Sequence, residues 1–446
     1  MRNNLFIFIL TFFTYLLPAQ KINPDIYGFA TSNTFTYCDV SDTSFINKVI
    51  AINPQVLRFP GGAVGNFYHF GKSGYGFDFN EIDKYHNGKF PKRSRGLENS
   101  RKKNQHHHDY IDDFITLARK TKAKAVLVAN PFVEDDNDII FMIQKLYKNN
   151  IEIVGVELGS ELSNRSYFLK GYTIEDYIFF AQRCSENIKK QFPEIKTAVV
   201  AAPLGKRKDH RHNIWNSRLS AMNFYDAIII HSYAKVIQGK AIDGQMVSED
   251  IEGENKTEEF EIYKNRVIDY LKTDYDSEVQ EYVSIYNKPI WVTEWNLQMS
   301  KTTGNTLLQS LFVTQYLLEV FSNPSLSSID LTTYHNLGGR DFSGSIFRNN
   351  KEVLEIQSTY YPLTLLGKIF DYDIIKVEKE QCEEIFTYNC FDENNKLIIS
   401  YVIDWNKNYF KYSLEESVDK EIFQIYGSEN LFDIPNLKGV ISIETD

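Results

Sequence analysis

Short apolar runs recur along this chain, and each is followed by a loop and then by a segment with helical periodicity. Runs apolar at nearly every position are typical of strands buried on both faces of a parallel sheet. Eight alternating β/α units predict an α/β fold of the TIM (β/α)8 barrel type. A doubly wound open sheet is the alternative, although no glycine-rich phosphate loop follows the first run. The runs lie at residues 27–33, 56–60, 123–130, 153–158, 197–203, 227–233, 289–294 and 329–335.

The segments between the runs are amphipathic helices. In the clearest one, Thr173 and Asp176 have the spacing of a capping box, and an apolar stripe continues to Ile188. Other helices are predicted at about 108–121, 137–148, 258–286, 305–322 and 361–371. From residue 373 the pattern changes to short strands joined by turns. We therefore predict a barrel domain at 21–372 and a small C-terminal antiparallel β-sandwich at 373–446.

The first twenty residues have the pattern of a signal peptide. Arg2 supplies a positive charge, an apolar stretch runs from Leu5 to Leu17, and Ala19 offers a small-residue cleavage point. This stretch is short for a membrane span, and no later one approaches the length of a span. The sequence predicts a signal peptide at 1–20 and an exported protein, either secreted, periplasmic or at the cell surface, with no membrane span after cleavage.

Composition narrows the class of protein. The remaining chain is long enough for a barrel of roughly 250 residues with insertions, and a hydrophobic content of 43% supports a large core. A formal charge of −10 argues against nucleic acid as a partner.

Two glutamates stand where predicted strands end. Glu161 follows the fourth run, and Glu294 closes the seventh. In a TIM barrel the carboxyl ends of the strands meet on one face, which carries the active site. Two carboxylates facing each other there can supply the acid and the nucleophile or base of a glycosidase. For either glutamate taken alone, a solvated strand-end position is the alternative.

Further polar residues fall at the same predicted rim. Arg58 precedes a Gly-Gly turn that allows close approach of a ligand. Each of these residues could instead have a purely structural role, such as an ion pair for Arg58 or a hydrogen-bonded core position for His231. The candidates for substrate contact at these strand ends are Arg58, Asn130, His231, Tyr233, Tyr334 and His335.

The motifs at these strand ends resemble those of the clan A retaining glycoside hydrolases, especially the heparanase, β-glucuronidase and α-L-arabinofuranosidase branches. Leu-Arg-x-Pro-Gly-Gly is matched at 57–62, and Glu-Leu-Gly-Asn-Glu at 157–161 except for one residue. Thr-Glu is matched at 293–294 and His-x-Tyr at 231–233. The resemblance spans the mature chain and implies the same barrel with a C-terminal β-sandwich.

By this resemblance Glu161 is the acid/base and Glu294 the nucleophile of a double-displacement mechanism. Arg58 and Tyr233 would hold Glu294 ionised and oriented. The departure is Ser160, where the family has an asparagine that hydrogen-bonds the sugar 2-hydroxyl. The candidates for substrate contact therefore also include the neighbours of the two glutamates, Ser160 and Trp295.

Two loops predicted on the same face are rich in cations. Residues 84–108 carry eight lysines and arginines against one glutamate, and residues 205–212 carry four more cations. On a chain of net charge −10, this arrangement would attract an anionic polymer. The hypothesis is a carbohydrate substrate, in particular a uronic-acid-containing or sulfated polysaccharide. Solvated surface loops are the alternative.

The sequence predicts no cofactor and no metal site. The three consecutive histidines at 106–108 point apart, so they do not form a metal site on their own. Two other functions stay open. A non-catalytic carbohydrate-binding protein on a degenerate barrel is consistent with Ser160, but it has no need of two facing carboxylates. Another barrel hydrolase, such as a deacetylase, would need metal ligands or a Ser-His pair at strand ends.

Overall fold

The structure is a computed structural model that describes most of the chain between residues 21 and 406. The predicted signal peptide lies outside the described residues, and so do 87–108 of the first cation-rich loop and Lys206 and Lys208 of the second. The described ranges are 21–72, 76–77, 79–86, 109–205, 207, 209–242, 245–248, 256–298, 300, 302–339, 344–350, 353–406, 421–422 and 441–442.

The eight predicted strands form one closed parallel barrel. Each strand pairs with its neighbours along the chain, and the last strand returns to the first through the pairing of Gly28 with Thr333. The predicted TIM barrel is therefore confirmed. In chain order the strands are β1 Gly28–Ala30, β2 Val56–Phe59, β3 Lys124–Val128, β4 Ile153–Leu158, β5 Lys196–Val200, β6 Ala227–Ala234, β7 Ile290–Leu297 and β8 Ile329–Tyr334.

Both faces of the barrel strands are buried, as their apolar runs predict. All residues of β7 are buried, because one face looks into the barrel and the other packs beneath the helices. Inside the barrel, Gly155 of β4 leaves room for the indole of Trp291, which a Cβ at position 155 would overlap. Alternation along a strand thus decides which side chains reach the barrel interior and which reach the helices.

The helices agree closely with the predicted segments. The capping box is present, since Asp176 and Thr173 exchange backbone-to-side-chain hydrogen bonds at the start of Ile174–Gln191. The long helix predicted at 258–286 is Lys256–Asp269 and Tyr275–Tyr286, joined by a π-helical turn at Tyr270–Asp274. Within the described ranges, no helix combines the length and apolarity that crossing a membrane would require. The other helices are Thr34–Tyr37, Thr43–Ile52, Phe79–His86, Tyr110–Thr121, Asn137–Lys148, Arg165–Phe168, Arg211–Ser220, Leu307–Ser322 and Tyr360–Leu366.

Two small antiparallel pairs follow barrel strands and escape prediction from the sequence. One joins Gly239–Ile242 to Gln245–Ser248 after β6, and the other joins Phe347–Asn350 to Val353–Ile356 after β8. Strands of four residues are too short to display a clear period.

An antiparallel sheet follows the barrel, as predicted, and packs on helix Leu307–Ser322. The hydroxyl of Tyr388 donates to Glu319 at 2.6 Å, and the indole N–H of Trp405 donates to Gln315 at 2.8 Å. Beyond residue 406 the described residues are the pair Glu421–Ile422 and Ile441–Ser442, so the exact domain division stays a prediction. The three strands are Ile374–Cys382, Ile385–Asp392 and Leu397–Asp404.

Candidate active site

The barrel brings Glu161 and Glu294 together. Glu161 lies in the turn that follows β4, and Glu294 lies near the C-terminal end of β7. A carboxylate oxygen of one lies within 4.8 Å of a carboxylate oxygen of the other. The two side chains therefore face a common space at the C-terminal rim of the barrel, where TIM-barrel active sites form.

A tight turn positions Glu161. Gly159 and Glu161 both have left-handed backbone conformations, with φ of +84° and +51°. Glycine adopts this conformation without strain, whereas for a non-glycine residue such as glutamate it costs of order 1–3 kcal/mol. The carboxylate of Glu161 accepts a hydrogen bond from Nδ2 of Asn164 at 2.8 Å and lies 3.0 Å from Nδ1 of His231. The strained turn thus directs this carboxylate toward the centre of the rim.

A buried arginine connects β2 with β4 and β7. Arg58 donates from Nε and Nη2 to the two carboxylate oxygens of Glu157 at 2.6 and 2.8 Å, and from Nη1 to Glu294 at 2.9 Å. Burial would lower the pKa of Arg58, but the two carboxylates raise it above its usual value. Because a buried guanidinium is stable only when paired, Glu157 and Glu294 hold a fixed positive charge inside the site.

Glu294 is buried among hydrogen-bond donors and cations. The hydroxyl of Tyr233 donates to its Oε2 at 2.8 Å, and Nδ1 atoms of His231 and His335 lie 3.6 and 3.5 Å from the same oxygen. Burial alone would raise the pKa of Glu294, but His231, His335 and Arg58 hold it well below its usual range. Glu294 is therefore ionised and fixed in direction, which suits a nucleophile.

His231 lies between the two carboxylates. Its Nδ1 is 3.0 Å from Glu161 and 3.6 Å from Glu294, while its Nε2 is 3.3 Å from the hydroxyl of Thr293. Burial would lower the pKa of His231, but Glu294 and the hydrogen bond with Glu161 raise it above its usual 6.5. The raised pKa favours the imidazolium, which can donate from Nδ1 to Glu161.

The surroundings of the two carboxylates differ in a way that separates their chemistry. The side chain of Glu161 is 35% exposed, whereas that of Glu294 is 6% exposed and neighbours Arg58. The two histidines and Arg58 hold the pKa of Glu294 low, whereas Glu161 is accessible to solvent and to a bound molecule. The two carboxylates thus lie in different environments, one buried against a cation and one open to the rim.

Ser160 is buried within the turn and does not face the open rim. Its side chain is fully buried, with Oγ 3.4 Å from Nη2 of Arg58. Asn66 holds its backbone from both sides, because Oδ1 accepts from the Ser160 N–H at 2.8 Å and Nδ2 donates to its carbonyl at 2.6 Å. Ser160 therefore shapes the turn before Glu161, and its contact with substrate stays a prediction.

Trp295 and Tyr334 lie in the wall between the barrel and its helices. Trp295 follows Glu294 in β7, and consecutive side chains of a strand point to opposite faces. The side chain of Trp295 therefore points to the helices while that of Glu294 points into the barrel. Its ring stacks on Tyr316 with centroids 4.1 Å apart, and Tyr334 packs edge-on against it at 5.2 Å. Both residues are 1% exposed. These positions favour a packing role, and substrate contact by the two residues stays a prediction.

Asn130 shapes the loops after β2 and β3. Its Nδ2 donates to the carbonyl of Tyr68 at 3.2 Å, and its Oδ1 accepts from the N–H of Phe132 at 2.9 Å. Substrate contact by this residue stays a prediction. The structure thus gathers Arg58, His231, Tyr233 and His335 around the two glutamates, and it gives Asn130 a place in the neighbouring loops.

Sequence reasoning missed Glu157, Asn66 and Asn164. Glu157 had a usable signal, because a charge within an otherwise apolar, doubly buried strand requires a buried partner. The two asparagines had no such signal. Each acts through a loop conformation, Asn66 on the backbone of Ser160 and Asn164 on the carboxylate of Glu161.

Glu161, His231 and Glu294 form a group whose ligand atoms lie close enough together to hold a metal ion. The guanidinium of Arg58 already lies 2.9 Å from Glu294 and occupies one of its oxygens. A metal cation would face repulsion from Arg58 and would need His231 in its neutral form. The arrangement therefore suits acid–base chemistry better than metal binding.

No protein-family model matches the chain, and no curated protein matches it significantly. Solved structures do match. A GH51 α-L-arabinofuranosidase from Thermotoga petrophila RKU-1 is 15% identical, with a TM-score of 0.57 over 93% of this chain and 90% of that one. The GH51 arabinofuranosidase from Xanthomonas axonopodis pv. citri is 11% identical, with a TM-score of 0.57 over 85% of this chain and 82% of that one.

A family 39 glycoside hydrolase from the gut symbiont Bacteroides cellulosilyticus WH2 also matches. It is 12% identical, with a TM-score of 0.51 over 95% of this chain and 78% of that one. Identities this low establish a shared fold and nothing finer. These structures share the fold of this chain, and the TIM barrel that the motif resemblance implied is confirmed.

Proposed function

We propose that this protein is a retaining glycoside hydrolase in which Glu294 is the nucleophile and Glu161 the acid/base. One observation carries the proposal. Two carboxylates approach within 4.8 Å, and only one of them is buried against a fixed cation. Retaining enzymes separate their carboxyl groups by about 5–5.5 Å, whereas inverting enzymes need about 6.5–9.5 Å to admit a water molecule.

In the first step, an oxygen of Glu294 attacks the anomeric carbon as the bond from that carbon to the leaving oxygen breaks. Glu161 gives its proton to the leaving oxygen, and a glycosyl ester on Glu294 forms. Arg58 and Tyr233 each donate a hydrogen bond to one oxygen of Glu294. These bonds orient the carboxylate before it attacks, and they stabilise its charge when it departs as the leaving group in the second step.

In the second step, ionised Glu161 takes a proton from water as that water attacks the anomeric carbon. The ester bond breaks, Glu294 regains its charge, and the sugar leaves with its original anomeric configuration. Nδ1 of His231 lies 3.0 Å from Oε1 of Glu161, a contact that can hold the Glu161 side chain in position for both steps.

The substrate in this proposal is a polysaccharide or oligosaccharide. Two of the matching structures are called arabinofuranosidases, so arabinose-containing glycans are one candidate. The cation-rich segments at 84–108 and 205–212 support another, an anionic glycan containing uronic acid or sulfate. Export to the cell surface, periplasm or medium, where such polymers occur, completes the proposal.

The test is a panel of aryl glycosides and of neutral and acidic polysaccharides, with release of aglycone or reducing ends as the readout. We expect at least one substrate to be cleaved by the wild type and not by Glu294→Gln. A non-catalytic carbohydrate-binding protein would instead retain a glycan without cleaving it. Cleavage at equal rates by wild type and Glu294→Gln would refute the proposed nucleophile.

A further inference from the structure

Two arginines lie in neighbouring loops at the rim. Arg165 begins the short helix Arg165–Phe168 in the loop after β4, and Arg211 begins helix Arg211–Ser220 after β5. Strands β4 and β5 are adjacent in the barrel. The guanidinium of Arg211 lies over the ring of Phe168, 5.7 Å from its centroid, so the two loops are in contact.

Neither arginine is neutralised by a described carboxylate. Other arginines on the described surface are neutralised, for example Arg183 by Asp136 at 3.0 Å and Arg218 by Glu175 at 2.7 Å. Nη1 of Arg211 lies 3.4 Å from His210, whereas its buried Nε has no acceptor within the described part of the chain. This is a site with positive charge and at least one unused donor.

The two guanidinium groups also repel each other. Burial and the charge of Arg165 lower the pKa of Arg211. Like charges held together cost free energy that a bound anion would recover. Guanidinium groups also match carboxylate and sulfate-like oxygens with paired donors.

The loop that carries Arg165 also contacts the proposed acid. Asn164 immediately precedes Arg165 in the chain, and its side chain donates to Glu161 at 2.8 Å. Phe168 and Ile214 next to the arginines are 52% and 50% exposed. Because Arg211 and Ile214 are three positions apart, they share one face of their helix. Apolar surface beside cations fits the C–H face and acidic substituent of a charged sugar.

We propose that Arg165, Arg211 and Phe168 form a subsite for an acidic sugar residue on the leaving-group side of Glu161. The ligand group is an anionic substituent with several oxygens, either a carboxylate or a sulfate ester. The position on the leaving-group side rests on the proposed function, because it follows from Glu161 acting as the acid. Anion recognition itself rests only on the two arginines and their surroundings.

The test measures binding in the full-length Glu294→Gln protein, which should leave glycans intact. Calorimetry compares uronate-containing, sulfated and neutral oligosaccharides of equal length. In Arg165→Gln/Arg211→Gln, we expect the affinity for the acidic ligand, relative to the neutral one, to fall about tenfold or more. The matched control is Arg218→Gln, which removes a charge from the same helix and should leave this ratio unchanged. If only the uronate-containing ligand loses affinity, the subsite binds a carboxylate, and if only the sulfated ligand does, it binds a sulfate ester.

The subsite is refuted if the ratio of acidic to neutral affinity is unchanged in the double variant. It is also refuted if the variant loses affinity equally for acidic and neutral ligands. If the double glutamine variant does not fold, Arg165→Lys/Arg211→Lys keeps the charge and removes the paired donors. It should show a smaller loss of the same ratio, and no loss would count against the subsite. Aryl glycoside cleavage by the wild type reports the proposed function separately. Arginine-dependent acidic binding without any cleavage would support the subsite and refute the glycosidase.

Discussion

Nδ1 of His231 lies 3.0 Å from Oε1 of Glu161, and the same nitrogen lies 3.6 Å from Oε2 of Glu294. One imidazole therefore contacts both carboxylates of the candidate pair. His231 lowers the pKa of Glu294, and Glu294 raises the pKa of His231, so the titrations of these two groups are linked. The pH dependence of this protein should carry the signature of His231.

Replacing His231 by Asn should destabilise the protein in a pH-dependent way. The pKa of His231 is raised above 6.5 in the folded chain. Its contribution to stability is therefore complete below about pH 6.5, and it is lost as pH rises through the raised folded pKa. The difference in Tm between wild type and variant should be largest below pH 6.5 and should shrink on the alkaline side. A difference that stays constant from pH 5.5 to 9 would contradict the ion pairing.

Replacing Arg58 by Met should destabilise the fold strongly. Glu157 and Glu294 would lose the buried guanidinium that pairs with both of them, and removing one partner of a buried ion pair costs about 3–5 kcal/mol. Chemical denaturation measures the change in the free energy of unfolding. Adding Glu157→Gln to Arg58→Met removes one of the two stranded charges and should restore part of the stability. If Arg58→Met alone costs under about 1 kcal/mol, as exposed pairs do, the guanidinium does not hold the site together.

Replacing Trp295 by Ala should reduce stability with little effect on KM. Its indole stacks on Tyr316 in the wall of the barrel, and truncating a buried tryptophan costs about 3–5 kcal/mol. Trp295→Phe keeps an aromatic ring and should cost less. Thermal unfolding and KM for a cleaved aryl glycoside separate the two effects. A large rise in KM with unchanged Tm would place Trp295 in the substrate site after all.

Replacing Glu161 by Gln should make the rate depend on the leaving group. General acid catalysis contributes about 10²–10⁴ in rate, but an aryl group that leaves as a stable anion needs no proton. Wild type and variant are compared on a series of aryl glycosides of decreasing leaving-group acidity. The rate deficit of the variant should grow along the series. An equal deficit on every member would remove Glu161 from the role of acid.

The barrel could be predicted because its strands are buried on both faces. Such strands form apolar runs, and eight runs separated by helical segments leave few possible topologies. The strand-end positions of Glu161 and Glu294 followed directly from that topology. The short pairs after β6 and β8 could not be predicted, because their strands are not continuous apolar runs and are too short to show alternation.

The candidate site was predictable in composition but not in the direction of each side chain. Trp295 and Ser160 adjoin the two glutamates in sequence, yet both turn away from the rim. A strand places neighbours on opposite faces, and the turn after β4 depends on a left-handed Glu161. The contacts of Asn66 with Ser160 join residues far apart in the chain, so only the folded structure reveals them.

The most direct test of the account is to trap the glycosyl ester on Glu294. A 2-deoxy-2-fluoro glycoside with an activated leaving group slows the second step more than the first, so the ester accumulates. The sugar should match the aryl glycoside that the protein cleaves, and peptide mass spectrometry locates the adduct. The account predicts one glycosyl unit on the peptide containing Glu294, and none in Glu294→Gln. An adduct on another residue, or turnover that releases the inverted anomer without an adduct, would contradict it.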